Sequence, residues 1–213
     1  MLKKQSLPVK QKKDIKMKNK ALNFKAAFKY PFNRPKGLLN FLWILVPIFG
    51  WFALGGYVIE IVTAFTKGKF KKTPKMKFWP NCKLGFLMFL KSIPFMFVYG
   101  IISSIIDGSL AAFFVSVPIW YLVGNIINFF IMLFVVPILT INFFKKRTVG
   151  SFFELSKVKY VFQNMEDYII ALLKSIGLGI IFLVMIVILV GLPAGQFTKN
   201  IFLADFYWRN VKK

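Results

Sequence analysis

Six polar or ionised residues stand inside long apolar stretches of this chain: Glu60, Lys91, Asn125, Asn128, Lys174 and Asp205. Polar groups at bilayer depth are costly, so they mark ion or solute paths, proton relays or buried pairs. Each also has a structural use. Lys91 and Lys174 lie a few residues into their stretches, where a lysine stem can snorkel to a boundary. Glu60 sits just before a lysine-rich segment and can neutralise it. Asp205 stands four residues before Arg209, the spacing of an ion pair on one helix face. Asn125 and Asn128 place two amides on one face of an uncharged run. They either bond to a neighbouring helix or line a polar path. Gly100 with Ser104, and Ala171 with Ser175 and Gly179, repeat a small residue every four positions, a surface on which another helix can pack closely.

Reactive chemistry is thin. There is no histidine, and Cys82 is the single cysteine. That removes His-based catalytic pairs, most metal sites and any intrachain disulfide. A facing carboxylate pair is also missing from the pattern: Asp107 falls in an expected turn, Asp205 has a local partner, and Glu166-Asp167 point two ways. No phosphate-cradling glycine loop occurs. The expectation is a protein with no catalytic residues and no cofactor.

The elements that hold these residues follow from composition. The 213 residues are 57% apolar with a net charge of +23, and mean hydropathy is +0.64. That pairing fits apolar membrane spans joined by cationic segments. Residues 37–65, 84–106, 110–144 and 168–192 are each long enough to cross a bilayer, and 196–209 read as a further helix with Phe197, Ile201, Ala204 and Trp208 on one face. The fold class is therefore all-α: a polytopic transmembrane bundle with a broken first hairpin and interfacial amphipathic helices. Residues 1–20, with eight lysines, read as a disordered cytoplasmic tail before a membrane domain over 21–213. The long polar start does not resemble a secretory signal.

Charge sets the orientation. Of the 30 basic residues, twelve lie in 1–36, seven in 66–83, five in 145–167 and four from Lys199 onward. Lys and Arg in short connectors stay cytoplasmic, which puts both termini inside and leaves Asp107–Ser109 and Gly191–Gly195 outside. Residues 37–65 have lysines on both sides, so they are expected to enter and return, turning near Pro47–Gly50. One kinked crossing is the alternative. The 35-residue third stretch is too long for one straight span and should break near Pro118 or Gly124, or tilt with an interfacial first part. Gly191–Gly195 reads as a helix stop.

Outside the bilayer, Phe24 with Phe28 and Lys25 with Lys29 form an amphipathic turn suited to a membrane surface, ended by Tyr30-Pro31. Ser151 and Glu154 have capping-box spacing, and Leu155, Val158, Phe162 and Met165 make a stripe. That second helix packs either on lipid or on the protein. Only Arg34, Arg147 and Arg209 are arginine. Lysine is a hydrated point charge, so anionic headgroups are the expected partner rather than a specific nucleic acid. The packing stripes leave a membrane-protein partner or a homo-oligomer open.

Several motifs resemble one family. Phe28-Lys29-Tyr30-Pro31-Phe32-Asn33-Arg34-Pro35 is similar to the opening motif of the membrane family called domain of unknown function 4013. Pro47, Gly50, Gly56-Tyr57 and Gly68 resemble its first segment and the loop that follows. Phe153-Glu154 and Glu166-Asp167-Tyr168 resemble its later helix and return point. Family members tend to carry Leu-Pro-x-Trp after the first segment, whereas here Thr73-Pro74 precede Trp79. The resemblance implies a polytopic membrane protein and supplies no catalytic residues. A non-enzymatic helical scaffold or partner subunit is the leading expectation. A small-solute or ion transporter using the polar groups is the alternative.

Overall fold

The computed structural model describes residues 21–69, 72–113, 119–188 and 190–211, without the side chains of 107–113, 119–121 and 188. The expected tail, 1–20, lies outside the described residues. Among those residues every regular element is helical and no strand occurs. Three helical segments, Phe78–Ile106, Leu122–Lys146 and Met165–Val187, are long and apolar enough to cross a membrane. In each, only 17% of the most apolar window is buried within the protein, so most of its greasy surface faces outward.

The first apolar stretch is broken where proline and glycine predict. A 3-10 segment, Leu39–Leu45, runs to a reversal at Pro47-Ile48, and helix α3 (Phe49–Phe65) returns. Phe49 N–H donates to the Pro47 carbonyl at 2.8 Å across Ile48, whose φ is +64°. This is a strained γ-turn, costly for a β-branched residue. The arms then touch: a Cβ on Gly50 would fall 1.7 Å from the Trp43 carbonyl oxygen, and Trp51 Nε1 donates to the Ile44 carbonyl. Only glycine allows that approach. Ahead of the hairpin lie α1 (Phe24–Lys29) and the single turn α2 (Pro35–Leu38).

Helix α4 runs from Phe78 to Phe113, about 54 Å at 1.5 Å per residue. The expected turn at Asp107–Ser109 is therefore helical, because one glycine costs a helix only about 1 kcal/mol. Residues 114–118, and with them the expected break near Pro118, lie outside the described residues. Gly124 does not break the third stretch either. Helix α5 (Ile119–Phe130) passes through it, and a π-helical turn, Ile131–Val135, leads into α6 (Val136–Lys146). Pro137 explains the irregularity, since it has no N–H for the Leu133 carbonyl four residues back.

The connector after α6 also departs from expectation. Instead of a capped helix from Ser151 it makes two 3-10 turns, Val149–Phe152 and Leu155–Lys157, and then a short helix α7 (Lys159–Gln163). Ser151 Oγ donates to the Thr148 carbonyl, and Glu154 is drawn to Lys146, so the two never cap a helix. Of the expected stripe, Val158 is buried while Leu155 and Phe162 are exposed.

Helix α8 (Met165–Val184) is followed by a 3-10 turn, Met185–Ile188. Gly191–Gly195 starts a helix rather than stopping one. Helix α9 (Gly191–Thr198) carries Pro193 in its first turn, where no N–H is needed, and a break at Lys199-Asn200 separates it from α10 (Ile201–Asn210). The expected single helix over 196–209 is thus two. The pair runs back along α8: Gly195 lies against Phe182, Phe206 against Tyr168, and Arg209 against Asp167. Residues Ile201–Tyr207 are all buried, so α10 is the centre of the bundle.

Phe24 and Phe28 pack inward rather than toward a membrane surface. Phe24 stacks on Phe202 and Phe28 on Phe182, with Lys25 and Lys29 left exposed. Tyr30 keeps helical dihedrals, φ −57° and ψ −47°, despite preceding Pro31. Its carbonyl accepts from Thr73 Oγ1 and its ring packs edge-on against Phe65.

Candidate functional site

The densest polar cluster joins the ends of four elements. Arg209 grips Asp167 through Nη1 at 2.6 Å and Nη2 at 3.0 Å, while its Nε reaches Asp205 at 3.0 Å. Asn210 Nδ2 also donates to Asp167. Asp205, buried, accepts the Leu22 backbone N–H at 3.0 Å. The fork of a guanidinium suits two carboxylates at once, which a lysine would not. Beside it, Tyr207 donates to Asn142 Oδ1 at 2.5 Å and Asn142 Nδ2 to the Ser151 carbonyl at 2.7 Å. Lys145 lies over the Tyr207 ring, 4.8 Å from its centroid. These bonds hold α6, α8, α10 and the amino-terminal segment together.

A second polar contact repairs the π turn. Tyr168, fully buried on α8, donates its hydroxyl to the Leu133 carbonyl at 2.5 Å. Leu133 is the residue whose helical partner Pro137 cannot serve. Tyr168→Phe should therefore cost about 1–2 kcal/mol of stability. In a Pro137→Ala background, where the ladder can close, the same change should cost less than half as much. A double-mutant cycle by thermal melting checks this, and equal costs in both backgrounds would refute it.

The six candidate path residues are spread over five elements. Glu60 is half-buried on α3. Lys91 Nζ on α4 donates to the Arg147 carbonyl at 2.9 Å, capping the end of α6. Asn125 is exposed, whereas Asn128 accepts from Ser103 Oγ at 3.2 Å and links α5 to α4. Lys174 is half-buried on α8. Asp205 makes the expected pair with Arg209. Among the described residues no three metal-ligating side chains come together.

Within the described residues of this chain the small-residue stripes are not points of close helix contact. Ala171 is buried, but its carbonyl takes the Ser175 hydroxyl, and a Cβ added at Gly179 or Gly100 would meet nothing within 4 Å. Ser104 is exposed. Close helix contact occurs instead between Gly56 on α3 and Gly85 on α4. A Cβ on Gly56 would fall 2.0 Å from the Asn81 carbonyl oxygen, and one on Gly85 1.9 Å from that of Phe52. Neither glycine has a four-residue repeat around it to announce the contact. Asn142 lies outside every motif the sequence offers, although an amide inside Ile141-Asn142-Phe143 is the kind of signal that marks a buried polar bond, and Tyr168 stands in Glu166-Asp167-Tyr168 with nothing local to announce its bond to Leu133.

The salt bridge Lys146–Glu154, at 2.6 Å, lies at the surface. Hydrogen bonding from Lys146 holds the Glu154 carboxyl below its ordinary range. A depressed carboxylate stabilises above its unfolded value, and the benefit fades as pH falls through the lower folded value. Lys146→Gln should cost under about 1 kcal/mol at neutral pH. The difference from the parent, read by melting, should vanish in acid.

Among the grooves beside the hairpin, two carry polar groups of interest. One, of about 860 Å³, lies between the hairpin and α9, walled by Phe41, Trp51, Leu54 and Phe197 with Lys199 and Asn200 among its polar groups. The other is cationic, at Arg34, Lys36 and Lys75.

The architecture is that of an all-α bundle whose three long apolar helices can cross a membrane. A family model described as a protein of unknown function, DUF4013, matches residues 39–191, and the chain belongs to that family. No curated protein and no solved structure matches it.

Proposed function

We propose that this chain is a multi-pass protein of the cell membrane, with both termini cytoplasmic, acting as a non-enzymatic helical scaffold or partner subunit. The observation that carries this reading is the use of its polar groups as fasteners. Lys91 caps α6, Asn128 ties α5 to α4, and Asp205, Arg209 and Asp167 close on one another. Groups committed to such bonds are not poised for proton transfer or nucleophilic attack. The orientation is supported by contacts among the cationic connectors: Thr73 bonds Tyr30, and Arg209 pairs with Asp167. Anionic lipids are the surface partner that this charge favours.

The open face at Gly100 and Ser104 supports association with another membrane helix, from a partner or a second copy. Gly100→Ile should leave the melting temperature within about 2 °C, since nothing opposes the side chain, while lowering self-association or partner capture in mild detergent at least severalfold. Unchanged association would remove that face from the account. A solute path is the second reading, favoured by the groove of about 860 Å³ beside the broken first hairpin. Purified protein in liposomes should pass no ion or small solute above the empty-vesicle rate. A saturable flux would displace the scaffold reading.

A further inference from the structure

We propose that the cationic groove at Arg34 is a binding site for a phosphate group, such as that of an anionic phospholipid headgroup. This rests on the preference for anionic lipid but goes beyond a diffuse attraction to a built site. The groove, of about 690 Å³, is lined by the three cations Arg34, Lys36 and Lys75 and by the amides of Asn33 and Asn40, and among the described residues by no acid.

Arg34 is the decisive residue. Its Nη1 is shut away from solvent with no hydrogen-bond partner among the described residues. A guanidinium with one nitrogen desolvated and unpaired is expensive, and since that nitrogen is covered, an oxyanion in the groove would compensate the charge through the part of Arg34 that lines it. The contrast with Arg209 is instructive, since that guanidinium has two carboxylates. The Arg34 stem is laid against Gly37, where an added Cβ would meet its Cβ, Cγ and Cδ at 3.4–3.6 Å.

The surroundings fit a ligand with a hydrocarbon part. Directly after Asn40, the exposed apolar side chains Leu42, Trp43 and Leu45 continue along the same arm of the hairpin. A lipid whose phosphate sits on Arg34 would have its chains beside that arm. The site also draws from both sides of the hairpin: Arg34 and Lys36 precede it, and Lys75 follows it. A bound phosphate would therefore tie the loop to the amino-terminal segment.

The test uses the full chain in a neutral detergent, melted with added phosphatidylglycerol, phosphatidylcholine or inorganic phosphate. Phosphatidylglycerol should raise the melting temperature, phosphatidylcholine should not, and Arg34→Gln should weaken the apparent affinity about tenfold or more. Lys72→Gln removes the same charge from an exposed position on the same loop and should leave the affinity within about twofold. Stabilisation by inorganic phosphate alone, abolished in Arg34→Gln, would keep the site and assign it to free phosphate. If Arg34→Gln does not fold, the Lys36→Gln/Lys75→Gln pair must show the same loss. Equal loss in Arg34→Gln and Lys72→Gln, or none in either, would overturn the site while leaving the general lipid preference intact. No response of the parent to either phosphatidylglycerol or phosphate would overturn both.

Discussion

Gly56→Ala should destabilise the protein by about 3 kcal/mol or more, whereas Gly55→Ala, one residue away, should be neutral or stabilising by up to about 1 kcal/mol. The two glycines look equivalent in the sequence and are opposite in the fold. At Gly56 a methyl would fall 2.0 Å from the Asn81 carbonyl oxygen and 2.9 Å from the Gly85 nitrogen. Those are backbone atoms of α4, so no rotamer change can clear them, and the two helices must separate. At Gly55 nothing lies within 4 Å. There the methyl only reduces the freedom of the unfolded chain and improves helix propensity. Gly85→Ala should reproduce the Gly56→Ala loss, because its methyl would fall 1.9 Å from the Phe52 carbonyl oxygen. Thermal or denaturant melting of the purified variants in one detergent checks all three. Similar melting for Gly55→Ala and Gly56→Ala would mean that α3 and α4 do not meet as described.

Arg209→Gln should be the second large loss, about 3–5 kcal/mol. Among the described residues, removing the guanidinium leaves Asp205, at 1% exposure, with the Leu22 N–H and Asp167 with Asn210. An uncompensated buried carboxylate is what makes half of an ion pair so costly to delete. The pair itself need not be a net source of stability. Replacing Asp205 and Arg209 together by Asn and Met should therefore cost less than Arg209→Gln alone. Melting of the single and double variants decides it, and a double variant worse than the single would show the cluster to be favourable in its own right.

Local signals in the sequence carried some elements correctly, although Gly191–Gly195, Asp107–Ser109 and Gly124 did not interrupt helices as expected. Pro47 and Gly50, with lysines on both flanks, foretell the reversal of the first apolar stretch. The Asp205–Arg209 spacing foretells their ion pair, which the structure extends to Asp167. Long apolar runs foretell the three long helices. What could not be read was any feature decided by a distant partner. Ser151 and Glu154 have the spacing of a capping box, yet Asn142 claims the Ser151 carbonyl and Lys146 claims Glu154. Phe24 and Phe28 have amphipathic spacing, which identifies a greasy face without saying whether lipid or Phe182 and Phe202 will cover it. The same limit applies to Gly100 and Gly179. A four-residue repeat names a smooth face, and which helix meets it is a property of the assembled bundle.

The hairpin is the hinge of the account, because it returns the chain and lets residues 21–36 and the lysine-rich loop share one side. Cys82 is buried and so shielded from an aqueous reagent, and single cysteines can be introduced at the exposed positions Lys25 and Lys72 with the parent as the control. Both Lys25→Cys and Lys72→Cys should react with a membrane-impermeant thiol reagent in inverted vesicles and be protected in intact cells. Reaction of the two from opposite faces of the membrane would mean that the first apolar stretch crosses once, and the arrangement described here would be wrong.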